Sequence, residues 1–146
     1  MDLGLTGKIA IVSGSSRGLG YATALLLAQE GAKVAINGRN ARQLEVTAQK
    51  IGDQSGQEVL AVPGNVTNPE DVTMLIEKTA NYYGGIDILV TNSGGPPAGR
   101  FDSFTDQDWL QAVELSFMSH VRMIRAALPY LRKSSHAAVL TISSYA

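Results

Sequence analysis

Five short apolar runs punctuate the chain, and the stretches between them carry apolar residues at helical spacing. The runs are Lys8-Ile9-Ala10-Ile11-Val12, Lys33-Val34-Ala35-Ile36-Asn37, Glu58-Val59-Leu60-Ala61-Val62, Ile86-Asp87-Ile88-Leu89-Val90 and Ala137-Ala138-Val139-Leu140-Thr141-Ile142. All five predict strands, and the second is continuous and β-branched enough to be buried on both faces of a parallel sheet. Tyr21 to Ala28 reads as a first helix. A second is expected over residues 41–51, stopping before Gly52. Asn68-Pro69-Glu70-Asp71 is a helix start, with a cap residue, a proline at the first helical position and acids beside the dipole. That helix should reach Tyr83 and stop at Gly84-Gly85. Thr105 and Asp108 stand at capping-box spacing, opening a long helix from about Asp106 towards Leu131. On it, Trp109, Phe117, Val121, Ile124, Leu128 and Leu131 are expected to bury one face.

Strands alternating with helices at this spacing predict an α/β fold, a Rossmann-type doubly wound parallel sheet with right-handed crossovers. The expected strand order is 3-2-1-4-5, within a single domain over residues 1–146. Ligands in such sheets bind beyond the carboxyl ends of the strands. Residues 13–19, 37–40, 63–66, 91–97 and 143 onward are therefore the places to search.

Composition narrows the chemistry. Of 146 residues, 45% are hydrophobic and 17% charged, as in a soluble globular chain. Twelve basic against thirteen acidic side chains leave a net charge of −1, which gives no electrostatic case for nucleic acid or an anionic membrane. The absence of cysteine excludes disulfides, thiolate nucleophiles and cysteine metal sites. His120 and His136 stand apart, so no metal site is expected, and both read as structural or exposed. No apolar stretch has the length of a membrane span, and Met1-Asp2-Leu3 lacks a basic signal region, so a cytoplasmic location is expected.

Chemistry enters with Ser13-Gly14-Ser15-Ser16-Arg17-Gly18-Leu19-Gly20, between the first strand and the first helix. Unpaired N–H groups at a helix N-terminus attract a pyrophosphate, and glycines let it approach. The spacing is G-x-x-x-G-x-G, one residue longer at the first gap than the commonest dinucleotide fingerprint. Glycines also mark ordinary turns, so the motif counts only with its flanks. After the second strand, where an NAD site carries an acid for the ribose 2′-hydroxyl, the chain reads Asn37-Gly38-Arg39-Asn40. Arg39 is either a solvent-exposed loop residue or a grip for a 2′-phosphate, with Arg17 as a second cation. A missing acid and two arginines favour NADP(H).

Together these residues resemble the short-chain dehydrogenase/reductases, and within them the 3-oxoacyl-(acyl-carrier-protein) reductase-like group. The resemblance rests on the glycine segment (family T-G-x-x-x-G-x-G), on Asn65-Val66, on Thr91-Asn92-Ser93-Gly94 (family N-N-A-G) and on Ile142-Ser143-Ser144, and it runs the length of the chain. It implies hydride transfer between NADP(H) and a small carbonyl or alcohol substrate, a 3-oxoacyl thioester being one candidate, in a homo-oligomer when complete. It also implies that Gly14, Ser15, Ser16, Arg17, Gly18, Leu19, Gly20 and Arg39 hold the cofactor. Asn65 and Val66 would sit at the adenine, with Asn92 and Gly94 near the ribose. Ser144 matches the family's catalytic serine; read without the family, Ser143 and Ser144 are ordinary strand-end hydroxyls. Ser116 stands where the family places an asparagine that helps hold a proton-relay water, and it is shorter.

The family's Tyr-x-x-x-Lys pair lies beyond the catalytic serine, and Tyr145, adjacent to Ser144, is not that tyrosine. Two readings therefore stand: the N-terminal portion of a reductase, or an inactive nucleotide-binding module. In either, these 146 residues alone are expected to be marginally stable or self-associating and not to turn over. In either, too, Gly14→Val is expected to remove dinucleotide binding while leaving the first strand largely formed.

Overall fold

A computed structural model describes residues 2–144. Its five strands, β1 (Ile9–Val12), β2 (Lys33–Gly38), β3 (Val59–Pro63), β4 (Ile88–Thr91) and β5 (Ala138–Thr141), form one parallel sheet in the order β3-β2-β1-β4-β5. This is the expected Rossmann-type order. Its physical root is the alternation of side chains along a strand. In β1, Ala10 and Val12 point to one face and Ile11 to the other, and all three are fully buried.

Each face has its own core. On one side Ala10, Val12, Val34, Ile36 and Val90 pack against Ala24 and Ala28 of α1 (Gly18–Gln29) and Leu44 and Ile51 of α2 (Ala41–Ser55). On the other, Ile11, Ala35, Val62 and Leu89 pack against Leu75 and Ile76 of α3 (Pro69–Tyr83) and Met123, Ala127 and Leu131 of α5 (Ser119–Leu131). Each fully buried Leu, Ile or Val contributes about 1.5–3 kcal/mol over its exposed state. Two apolar layers therefore fix the strand ends in space, and the loops they carry.

Local chemistry sets the helix limits. Asn68 caps α3 by accepting from Glu70 N at 2.8 Å and Asp71 N at 3.2 Å, with Pro69 behind it. The reciprocal Thr105–Asp108 box opens α4 (Asp106–Val113). Two boundaries differ most from expectation. Helix α2 continues through Gly52 to Ser55 and ends where Gly56 turns left-handed, with φ 71°. Asn40 caps its start by accepting from Gln43 N, and a single interior glycine lowers helix stability by only about 1 kcal/mol.

The second difference is larger. The long helix expected between Asp106 and Leu131 is interrupted by a π turn at Glu114–Met118, where Ser119 N–H bonds back five residues to Glu114 O. One extra residue in a turn rotates all subsequent residues by roughly 100° about the helix axis. The expected apolar stripe is accordingly out of phase. Trp109 and Phe117 are 47% and 62% exposed, Val121, Ile124 and Leu128 are half-buried, and of that stripe only Leu131 lies fully in the core. Ser119, His120, Met123, Ala127 and Leu131 make the buried face instead. Among the described residues, no helix is long and apolar enough to cross a membrane.

Candidate functional site

The turn after β1 is tied down from both neighbouring strands. Ser15 N–H donates to Asn37 O at 2.8 Å, and Asn37 N–H donates to Ser15 Oγ at 3.0 Å. Ser15 Oγ in turn donates to Val12 O at 2.6 Å, so this hydroxyl is committed inside the turn. From β4, Asn92 N–H donates to Ser13 Oγ at 2.8 Å, and the Asn92 amide donates to Gly14 O at 2.9 Å. Ser16 contributes its carbonyl, which accepts from Thr47 Oγ1 of α2 at 3.1 Å.

The three glycines of the motif have different surroundings. A Cβ on Gly14, whose φ is +57°, would lie 2.8 Å from Asn92 O. One on Gly20 would lie 2.4 Å from Gly14 O. Both positions need glycine because protein backbone already occupies the space. Gly18, with φ +61°, has nothing within 4 Å of its Cβ position and stands at the N-terminus of α1. It alone of the three opens to solvent. Arg17 precedes it in extended conformation, caps nothing with its side chain, and is exposed, as is Leu19. An anion can approach this helix end from the Gly18 side, where backbone N–H groups and the helix dipole favour negative charge.

The other strand ends surround this turn. Arg39 and Asn40 follow β2 and are exposed; the Asn37 side chain beneath them donates to Val62 O at 3.0 Å and Gly64 O at 3.2 Å, joining the β2 and β3 ends. After β3, Asn65 N–H donates to Asp71 Oδ2 at 2.8 Å while Asn65 Oδ1 accepts from Thr67. Val66 is buried beside them. Gly94 is exposed with open space around it.

Ser144 follows β5, whose Thr141 Oγ1 is 2.9 Å from Thr91 Oγ1 of β4. Tyr145 lies outside the described residues. Ser116 is in the middle of the π turn and exposed. The candidate residues therefore gather at one edge of the sheet, on the ends of all five strands, with Ser116 on the helix that follows β4.

Two contacts here had no signal in the sequence. Arg122 Nη1 of α5 donates to Glu114 Oε2 at 2.6 Å, tying α5 to the start of the π turn, and this bond holds the Glu114 carboxyl below its usual range. His120, read from the sequence as structural or exposed, is buried, with Nε2 3.4 Å from Ser93 Oγ. Neither residue belongs to a motif, and only the fold brings the partners together.

Comparison with known proteins agrees with this arrangement. The chain is 33% identical over 143 residues to an 11-beta-hydroxysteroid dehydrogenase-like protein of Arabidopsis thaliana, covering 97% of this chain and 46% of that one. It is 34% identical over 140 residues to an uncharacterized oxidoreductase of Staphylococcus aureus, covering 96% and 59%. Among solved structures, L-sorbose reductase from Gluconobacter frateurii, complexed with NADPH and L-sorbose, superposes with a TM-score of 0.94 at 34% identity, over 99% of this chain and 55% of that one. A 7α-hydroxysteroid dehydrogenase complexed with NADH and 7-oxo glycochenodeoxycholic acid superposes at 0.90 with 30% identity, over 96% and 54%. The chain spans about half the length of the curated relatives it matches. The short chain dehydrogenase family profile matches residues 8–146, and with this fold and these relatives the chain belongs to that family.

Proposed function

We propose that this chain supplies the cofactor-binding portion of an NADP(H)-dependent oxidoreductase acting on a small carbonyl or alcohol substrate. The observation that carries the reading is the turn at Gly14–Gly20, packed shut by backbone at Gly14 and Gly20 and open at Gly18 on the N-terminus of α1. That is a cradle for a diphosphate, made of main-chain N–H groups that a Cβ would obstruct.

The phosphate preference rests on charge. Arg39 and Arg17 are exposed cations near the β1 and β2 ends, and no acid follows β2 to accept from a ribose 2′-hydroxyl. Arg39 holds a 2′-phosphate in its planar fork, and Arg17 adds a second charge. Asn65 and Val66 border the adenine, while Asn92 and Gly94 border the nicotinamide ribose. When bound, NADPH supplies a hydride to the substrate carbonyl carbon.

Ser144 donates a hydrogen bond to the substrate oxygen and orients it. Ser116 occupies the position of the family's relay asparagine, its hydroxyl reaching less far than an amide. A 3-oxoacyl thioester is one substrate of this class; the relatives at hand are named for sugar and steroid substrates. Isothermal calorimetry with NADPH and NADH tests the reading. Tighter binding of NADPH is expected, and no binding of either dinucleotide would overturn it.

A further inference from the structure

His120 makes a contact that no motif reveals. It lies in the first turn of α5, and its imidazole is 9% exposed. Its partner Ser93 has Oγ 3.2 Å from Gly94 O and 3.4 Å from His120 Nε2. A serine hydroxyl both donates and accepts, and so does a neutral imidazole nitrogen, so this contact holds in either tautomer. The other ring nitrogen, Nδ1, is buried and has no hydrogen-bond partner among the described residues. Burial also pushes the imidazole's pKa down, which favours the neutral ring.

The segment this bond controls has little else to hold it. Asn92 is anchored to Ser13 and Gly14 on every side. From Ser93 to Gly99, the His120 contact is the one hydrogen bond to another element among the described residues. The segment is exposed from Gly94 onward. A buried polar atom without a partner is costly, and an apolar side chain at position 120 would carry no such cost. The hydrogen-bond contact that the imidazole does make is with the segment that leaves β4.

We infer that His120 and Ser93 are a positioning pair, in which the buried imidazole holds the Ser93–Gly99 segment against the nicotinamide side of the cofactor site. The inference rests on the cofactor reading above, and its test separates the two. NADPH and adenosine 2′,5′-bisphosphate share the phosphate-bearing adenosine, but only NADPH reaches past Asn92.

Ser93→Ala and His120→Phe are each expected to weaken NADPH about threefold to tenfold, the equivalent of one hydrogen bond. The adenosine bisphosphate should stay within about twofold under the same principle, because the distal half carries the loss. The double variant should lose no more than either single one, since both remove the same bond. His120→Gln, whose amide nitrogen reaches the Nε2 position, should restore most of the affinity, and His120→Asn should not. Unchanged NADPH affinity in Ser93→Ala, or equal losses for both nucleotides, overturns the inference. If His120→Phe fails to fold, Ser93→Ala still decides. Nitrogen NMR of the unmodified chain must find a His120 Nε2 resonance that moves on Ser93→Ala; a resonance that stays in place overturns the pair. If neither nucleotide binds the unmodified chain, the cofactor reading falls and takes the nicotinamide role with it. The NMR result then still judges the bond.

Discussion

The amide of Asn92 donates to the carbonyl of Gly14 at 2.9 Å, joining residues 78 apart in sequence. The bond sews the end of β4 onto the turn after β1, so the two loops move as one body. Replacing Asn92 by aspartate sets an ionised oxygen against Gly14 O in place of a donor. A stability loss of about 1–3 kcal/mol is expected, greater than for Asn92→Ala, which only removes the donor. Chemical denaturation of both variants checks the order. An Asn92→Asp variant as stable as Asn92→Ala would show that the bond carries no weight.

Glycine substitutions should separate folding from binding. Gly18→Val places a side chain in open space where a phosphate would approach, with only the strain of a positive φ on folding. Gly14→Val drives a side chain into the Asn92 backbone as well. The expectation that Gly14→Val spares the strand is thereby revised. Gly18→Val should keep its thermal unfolding midpoint within several degrees and lose dinucleotide binding, while Gly14→Val should lose both. A Gly18 variant with unmodified NADPH affinity would show that the diphosphate does not use this helix end.

Charge at position 39 should choose the cofactor. Arg39→Asp replaces an exposed cation with an acid suited to a ribose 2′-hydroxyl. Charge-assisted bonds are worth roughly 1.5–3 kcal/mol, less when solvent screens them, so the NADPH preference should fall by about tenfold or more. Calorimetry with both dinucleotides reads the change. Equal affinity for NADPH and NADH in the unmodified chain would sink the assignment.

Asp87 should contribute to acid sensitivity. Burial pushes its carboxyl up, but hydrogen bonds from Ser134 Oγ at 2.5 Å and Ile9 N–H at 2.9 Å, with the charges of Lys8 and His136, outweigh this and hold it below the ordinary 3.8. A depressed folded pKa stabilises fully above the unfolded value and ceases to do so as pH falls through the folded one. Asp87→Asn should therefore lose stability most near pH 6, by about 1 kcal/mol for one weakened bond, and the gap to the unmodified chain should close below about pH 4. A gap constant from about pH 6 to pH 3 would assign the effect to shape rather than charge.

Much of the fold was legible because its signals are local. Apolar runs mark strands, and Asn68 with Pro69, or Thr105 with Asp108, mark helix starts through bonds spanning two or three residues. The π turn was not legible, because a bond five residues back is favoured only once α5 must present Met123 and Ala127 to the sheet. The same displacement undid the stripe through Trp109 and Phe117. The glycine spacing located the site, but not the division of labour within it. That depends on Asn92, which approaches from β4, next to β1 in the sheet but 78 residues away in sequence, and shares no motif with Gly14. His120 was invisible for the same reason, since its partner is 27 residues away.

The π turn also makes the region from Asp106 to Leu131 two surfaces on one rod. Deleting any one residue between Glu114 and Met118 would let the rod close into a regular spiral, swinging Trp109, Leu110 and Val113 by roughly a quarter of a revolution around it. The sheet-facing half would stay where Met123 and Leu131 lock it. The outward half can thus be re-aimed by a single codon, independently of the core.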